Sequence, residues 1–359
     1  MANLTDLVRT AASLWASAPA GSDHALLSLR VGLRSYFSTY NCYPYCRIEF
    51  RPTGPSQQWH GTPHSPKYAE NSMEAILHFQ HFTELACKSI LREEHLLLAD
   101  EASSKPVILY KLLKGMSLNT EEEAEVKSIE FTTALNRLCT LIEAGLVDPC
   151  KYGFIKDDKM VLESLNGLRN RLWHRGIFVL RYDALDEFIG KYFFPLMGKL
   201  VSLPWYAEHE TYWRYEPLAC GLDPITEIQR IFQEPRYDFE AVALLKELGR
   251  AALLTPPVRS IFTLIDSTKL DSKAEGAAAA LADNGLASRV LNCPVCNKLT
   301  LAVLEESESG WNSETNTEEY FYYVSAVECM YCTFSMDNSL GIPVRYRQSI
   351  PDYWAPETN

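Results

Sequence analysis

Four of the ten cysteines constrain the fold of this 359-residue chain more than any other feature. They form two Cys-x-x-Cys pairs, Cys293-Pro-Val-Cys296 and Cys329-Met-Tyr-Cys332. A Cys-x-x-Cys turn points two sulfurs at one ion, and two such turns supply the four thiolates of a closed tetrahedral zinc site. Between the pairs, LTLAVL and EYFYYVSAV read as strands, joined by an acidic loop from Glu305 to Glu319. That is the layout of a zinc ribbon, assigned with its tail to residues 291–359. Cysteine at all four positions leaves no open coordination place, so the expected zinc is structural and none serves catalysis. The loop carries Glu305, Glu306, Glu308, Glu314, Glu318 and Glu319, which would repel phosphate. A protein-contacting or stabilising role is therefore expected. The tail VRYRQ, residues 344–348, is its only basic patch.

Thiol ligands of this kind belong to a reducing compartment, and a cytoplasmic location follows as an expectation. No apolar run approaches the roughly 18 residues that cross a bilayer, so no membrane association is expected. The opening MANLTDLVRTAASLWASAPAG has no positive charge ahead of its apolar patch, and Asp6 and Arg9 interrupt that patch. It reads as an amphipathic helix rather than a signal peptide. The formal charge of −12 makes a broad nucleic-acid scaffold implausible, so any RNA site must be a confined patch of Lys and Arg.

A chain of this length is expected to form two or three domains. Residues 1–68 are an α/β or β-rich segment in which RVGLRSYFSTYNCYPYCRIEFRPTG suggests short strands. Cys42, Cys46, His60 and His64 imitate a Cys2His2 finger there. Gly61, Pro63 and Pro66 deny the histidines the helix such a finger needs, so the stretch reads as a polar turn. Residues 69–205 read as a bundle of four apolar-striped helices joined by short or moderate connections. One helix, Ser72 to about Leu98, has the stripe Ile76, Phe79, Phe82, Ala86 and Ile90, with His78, His81 and His95 outside it. Thr120 with Glu123 announces a second helix, striped by Phe131, Leu135, Leu138 and Ile142. A third, Asp158–His174, is striped by Val161, Leu165, Leu168 and Leu172 and stopped by Gly176. A fourth runs from Asp183 to about Leu203, with Pro195 kinking it. Cys87 and Cys139 sit inside these patterns as buried small hydrophobes. Residues 206–290 read as a helical connector with pieces near 238–253 and 273–288. The fold class is mainly α: a helical bundle, a small N-terminal segment and a zinc ribbon.

The third helix ends in LRNRLWHRG, which places Arg169, Asn170, Arg171, His174 and Arg175 within seven residues of an otherwise acidic chain. Imidazole titrates near neutrality and can move a proton either way. Guanidinium is a permanent planar cation whose donors match phosphate oxygens. Asn170 precedes His174 by one helical turn, where its amide is placed to orient the ring or the phosphate. At 100° per residue, Arg169 lies about 140° around the axis from His174. Either the long Arg169 side chain wraps round, or the fraying helix end turns His174, or a second copy across a twofold axis brings its own groups, the last being the simplest.

The arrangement Arg169-Asn170-x-x-x-His174 resembles the Arg-polar-x(3–5)-His motif of HEPN (higher eukaryotes and prokaryotes nucleotide-binding) domains. NSMEAILHFQHFTELACKSIL and IEFTTALNRL resemble a first and a middle helix of bacterial members. The resemblance covers about residues 70–205. It implies an α-helical bundle that dimerises into a metal-independent endoribonuclease, with Arg169 and His174 as the catalytic pair and Asn170 in support. Arg171 and Arg175 would meet RNA phosphate. Such domains include toxins and antiviral-defence effectors that cut tRNA or other RNA, some under a regulatory protein partner. Two other readings stay open: a catalytically silent HEPN adaptor, and a zinc-ribbon nucleic-acid-binding regulator.

Overall fold

A computed structural model describes residues 24–42, 66–175, 180–253, 267–312, 316–338 and 340–354. Six helices of more than ten residues are labelled: α1 His24–Ser38, α2 Pro66–Glu94, α3 Phe131–Glu143, α4 Lys159–Arg175, α5 Phe239–Leu253 and α6 Ser267–Asp283. Strands β1 Asp100–Glu101 and β2 Lys127–Ser128 pair with each other. Strands β3 Ala287–Asn292, β4 Leu299–Asn312, β5 Thr317–Cys329 and β6 Ser335–Asp337 form one antiparallel sheet in sequence order. The structure is mostly helical with this one substantial sheet. Among the described residues, no helix is long and apolar enough to cross a membrane.

The chain divides into two compact units. The first takes residues 1–32, 73–178 and 195–213, and the second takes residues 33–72, 179–194 and 214–359. The N-terminal amphipathic segment and Cys46, His60 and His64 lie outside the described residues.

In the first unit, the expected stripes of α2 and α3 are buried: Ile76, Phe79, Phe82, Ala86 and Ile90, then Phe131, Leu135, Leu138 and Ile142. Burial of this kind stabilises by roughly 25 cal/mol per Å² of apolar surface. Gly32 of α1 lets Phe79 approach so closely that a Cβ there would lie 2.6 Å from the ring. Buried Cys87 and Cys139 behave as small hydrophobes, and burial pushes the Cys87 thiol up to about 12. The stripe of α4 is shifted from expectation. Leu162, Leu165 and Leu172 are buried, whereas Val161 and Leu168 are only half-buried. The helical period accommodates either set, and packing against α3 and the short helix Pro149–Asp157 selects the first.

Three local expectations need correcting. The stretch RVGLRSYFS, expected as strand, is part of α1, because Leu26, Leu29, Leu33, Tyr36 and Phe37 recur at helical spacing and are all buried. The helix expected from Thr120 is interrupted. A short helix Thr120–Glu125 ends at Val126, which is extended, and β2 follows before α3. Its capping box belongs to Asn119 and Glu122 rather than Thr120 and Glu123: Glu122 N donates to Asn119 Oδ1 at 2.9 Å, and Asn119 N donates to Glu122 Oε2 at 3.0 Å. The fourth helix runs as Tyr182–Glu187, a π-helical segment Phe188–Phe193 and Phe194–Val201. Pro195 has no N–H, and the turn before it widens so that Phe194 N donates to Ile189 O.

The second unit is organised by α5, whose residues 241–251 are buried without exception. Gly249 brings this helix against Phe37, whose ring would lie 2.7 Å from a Cβ at that position. Three of the buried residues carry charge. Lys246 pairs with Asp186, both at 0% exposure, and its Nζ lies 3.8 Å from the Tyr182 ring centroid. Tyr237 donates to Asp186 Oδ2 at 2.7 Å. Burial raises the Asp186 carboxyl above its usual range, while Lys246 beside it pulls the other way. Arg250 donates to Glu247 through Nε and Nη2, both at 2.6 Å. Within the stretch expected to be a connector, α5 is thus a helix buried in this unit.

Candidate functional site

In the first unit, α4 carries the Arg-Asn-x-x-x-His segment on its last two turns. Leu172 anchors them on the buried side. The Arg169 guanidinium donates through Nη1 to Asn170 Oδ1 at 2.9 Å and lies 5.8 Å from the Trp173 ring centroid. The second distance is a cation–π contact across one helical turn. Trp173 is 67% exposed, and Arg171 and His174 are exposed as well. The structure thus gathers Arg169, Asn170 and Trp173. Among the described residues, no hydrogen bond joins His174 to Arg169 or Asn170. The side chain of Arg175 lies outside what is described.

Two other histidines of the first unit make local hydrogen bonds. His81 Nδ1 shares a 2.7 Å hydrogen bond with the Ser28 hydroxyl. His95 caps the short helix Leu96–Ala99 by accepting from Leu97 N at 3.2 Å. His78 and His81 also line a surface cleft of about 330 Å³ with Leu27, Val31 and Leu85.

In the second unit, Cys293, Cys296, Cys329 and Cys332 converge, their sulfurs all within 4.8 Å of one another. Cys293 and Cys332 Sγ are 3.5 Å apart, and Cys296 and Cys329 Sγ are 3.8 Å apart. Four thiolates about 2.3 Å from a central zinc would stand roughly 3.8 Å from each other, so the spacing suits a tetrahedral ion. The two knuckles repeat one geometry. Asn297 N donates to Cys293 O at 3.0 Å, and Thr333 N donates to Cys329 O at 3.1 Å. Cys293 N donates to Lys298 O at 2.9 Å, and Cys329 N donates to Phe334 O at 2.8 Å. Asn297 and Thr333 close the two turns with φ of 59° and 61°. Backbone N–H groups point at the sulfurs: Val295 N lies 3.4 Å from Cys293 Sγ, and Tyr331 N lies 3.4 Å from Cys329 Sγ. Such donors stabilise thiolate.

A positive φ suits asparagine but strains a β-branched threonine. Arg250 braces that turn, its Nη2 donating to Thr333 O and its Nη1 to Thr333 Oγ1 at 3.3 Å. Its partner Glu247 accepts from Ser335 N at 2.6 Å. The buried pair on α5 thereby fixes the second knuckle. The first knuckle is held by Cys220 N, which donates to Pro294 O at 2.8 Å, and by Lys298, which pairs with Asp271 of α6 at 2.6 Å. Sequence reading missed these supports, because Glu247 and Arg250 look like an ordinary solvated i,i+3 pair. The neighbouring run of Ala, Val and Leu was the available signal.

Two expectations for the ribbon change. The acidic segment is strand rather than loop: β4 continues to Asn312 and β5 begins at Thr317. The basic tail is neutralised within its own unit, with Arg345 pairing Glu234 at 2.8 Å and Asp238 at 3.2 Å, and Arg347 pairing Asp352 at 3.4 Å. Comparison with known protein families, curated proteins and solved structures finds no match for this chain.

Proposed function

We propose that the protein is a metal-independent endoribonuclease of the HEPN type, acting as a homodimer through Arg169, Asn170 and His174. The observation that carries the reading is a set of polar groups left at the surface on one helix end, with Arg169 steadied by Asn170 and Trp173. In the reaction, His174 takes the proton of a ribose 2′-hydroxyl, and the 2′-oxygen attacks the adjacent phosphorus. The bond to the 5′-oxygen breaks, and that oxygen receives a proton from the second copy's imidazole or from water. Arg169 faces the charge that develops on the phosphoryl oxygens. Arg171 and Arg175 would hold neighbouring phosphates. The products are a 2′,3′-cyclic phosphate and a 5′-hydroxyl end.

A dimer is the arrangement that brings both groups to one phosphate most simply. Arg169 engages Asn170 and Trp173 of its own helix, and at 100° per residue it lies about 140° around the axis from His174. A second α4 across a twofold axis would set the guanidinium of one copy beside the imidazole of the other. The exposed Trp173 supplies apolar surface for that contact. Cleavage is expected with no added divalent ion, and His174→Ala or Arg169→Ala should lower it by about 10²- to 10⁴-fold. Specific activity should fall on dilution as the dimer separates. A strict requirement for Mg²⁺, or full activity in His174→Ala, would defeat the mechanism. Full activity from a proven monomer would defeat the composite site.

We assign the cysteine cluster to a structural zinc ion. The sulfur spacing and the all-cysteine donor set support zinc, and the four thiolates fill its coordination. Such an ion would tie β3, β4, β5 and β6 together and leave the chemistry to the first unit.

A further inference from the structure

Strands β4 and β5 continue together well past their neighbours. β3 pairs with β4 only as far as Leu304, and β6 pairs with β5 only from Ala326. Beyond those points, pairs from Glu305↔Val324 to Asn312↔Thr317 form a two-stranded arm. Directly opposed residues of an antiparallel pair share a face, and successive ones alternate. One face of the arm therefore presents Trp311, Tyr320 and Tyr322, together with Glu305 and Glu318. The aromatics are 66%, 61% and 73% exposed. Ser307 and Ser309 stand opposite the tyrosines and are too small to cover them. The reverse face is partly self-satisfied: Tyr323 donates to Glu308 Oε1 at 3.3 Å, and Phe321 lies over Gly310.

Exposed aromatic rings in a row are an unusual surface for a protein to leave in water. Charge decides what can cover them. Residues 305–324 include six glutamates and no lysine or arginine. Nucleic acid would stack on such rings but is repelled by the carboxylates, as is an anionic membrane. A second copy brings the same negative charge. A cationic protein segment suits both features, because guanidinium and ammonium groups bind ring faces and pair with carboxylates. The arm also leaves backbone groups on both outer edges without a partner strand among the described residues, which favours an extended segment. We infer that the Trp311–Tyr320–Tyr322 face is a docking surface for an extended, arginine- or lysine-rich segment of a partner protein.

The test uses the full chain and a labelled, end-blocked peptide of alternating arginine and threonine long enough to span the arm. Anisotropy should report saturable binding that weakens as salt rises. The triple variant Trp311→Ser, Tyr320→Ser, Tyr322→Ser should weaken it by about tenfold or more, given cation–π contributions of roughly 0.5–1 kcal/mol at each ring. Glu305→Lys with Glu318→Lys should weaken it similarly and flatten the salt dependence. Every substituted side chain is exposed, and unchanged metal content in each variant checks the ribbon's fold. Equal affinity of either variant for the peptide would overturn the inference. So would equal binding of an all-glutamate counterpart or of oligouridine. Self-association lost only in the triple variant would reassign the face to a second copy of the chain.

Discussion

The end of α4 and the middle of α5 carry similar side chains under opposite conditions. On α5, Lys246, Glu247 and Arg250 are buried, and each has a charged partner. On α4, Arg169, Asn170, Arg171 and His174 are half-buried or exposed. A buried charge that loses its partner is left without solvation, so the α5 groups are bound to the fold. The α4 groups are half-buried or exposed, so losing one leaves no unsolvated charge behind. The contrast is between a helix that keeps its charges in the core and one that leaves them toward solvent.

The structural half is tested most sharply at the four cysteines that α5 helps to frame. About one zinc per chain is expected, with serine at any of Cys293, Cys296, Cys329 or Cys332 reducing it. Binding of structural zinc is folding free energy, on the order of 10 kcal/mol in small zinc domains, so this should be the largest effect. Amide exchange across Cys293–Phe334 should rise by orders of magnitude, while α2 and α3 stay protected. Retention of the ion after all four substitutions would move the site to other ligands, with Cys42, Cys46, His60 and His64 the next group to change.

Next in size is the brace itself. Glu247→Ala or Arg250→Ala strands a charge inside the second unit and should cost about 3–5 kcal/mol. Arg250→Ala also frees the strained Thr333 turn, so its loss should be accompanied by weaker metal retention. Denaturation midpoints and metal content, read together, decide the matter. A cost below about 1 kcal/mol would mean that the pair is solvated, and the contrast with α4 would collapse.

How much of this the sequence disclosed follows from the same contrast. The knuckles were legible because metal ligation demands fixed residue types at fixed spacing. The stripes of α2 and α3 were legible because each has one polar face. Helix α5 was located, but its role was not, since a helix buried all round shows no stripe. Its charges then mimic a wet surface. The arm was misread for a related reason: glutamate and serine argue for a loop, yet the cross-strand tyrosines, phenylalanine and tryptophan sustain pairing through Asn312. The break at Val126 depended on β1, which lies too far along the chain for any local pattern to announce.

The smallest effect expected on stability is the most informative for function. Arg169→Ala, Asn170→Ala and His174→Ala should each change unfolding free energy by less than about 0.5 kcal/mol, as surface substitutions do. Arg169→Ala should be the largest of the three, because it alone deletes both the Asn170 hydrogen bond and the Trp173 contact. If these groups work as a ribonuclease site, the same variants should lose most cleavage despite melting together with the parent chain. The separation matters, because Leu172 between them is buried and any repacking of α4 would reduce activity indirectly. Leu172→Ala is therefore the control. It should lower stability by about 2–5 kcal/mol and, where the protein remains folded, leave more activity than His174→Ala. Should the polar trio prove as costly to the fold as Leu172, these groups belong to the architecture, and the proposed site on α4 fails with them.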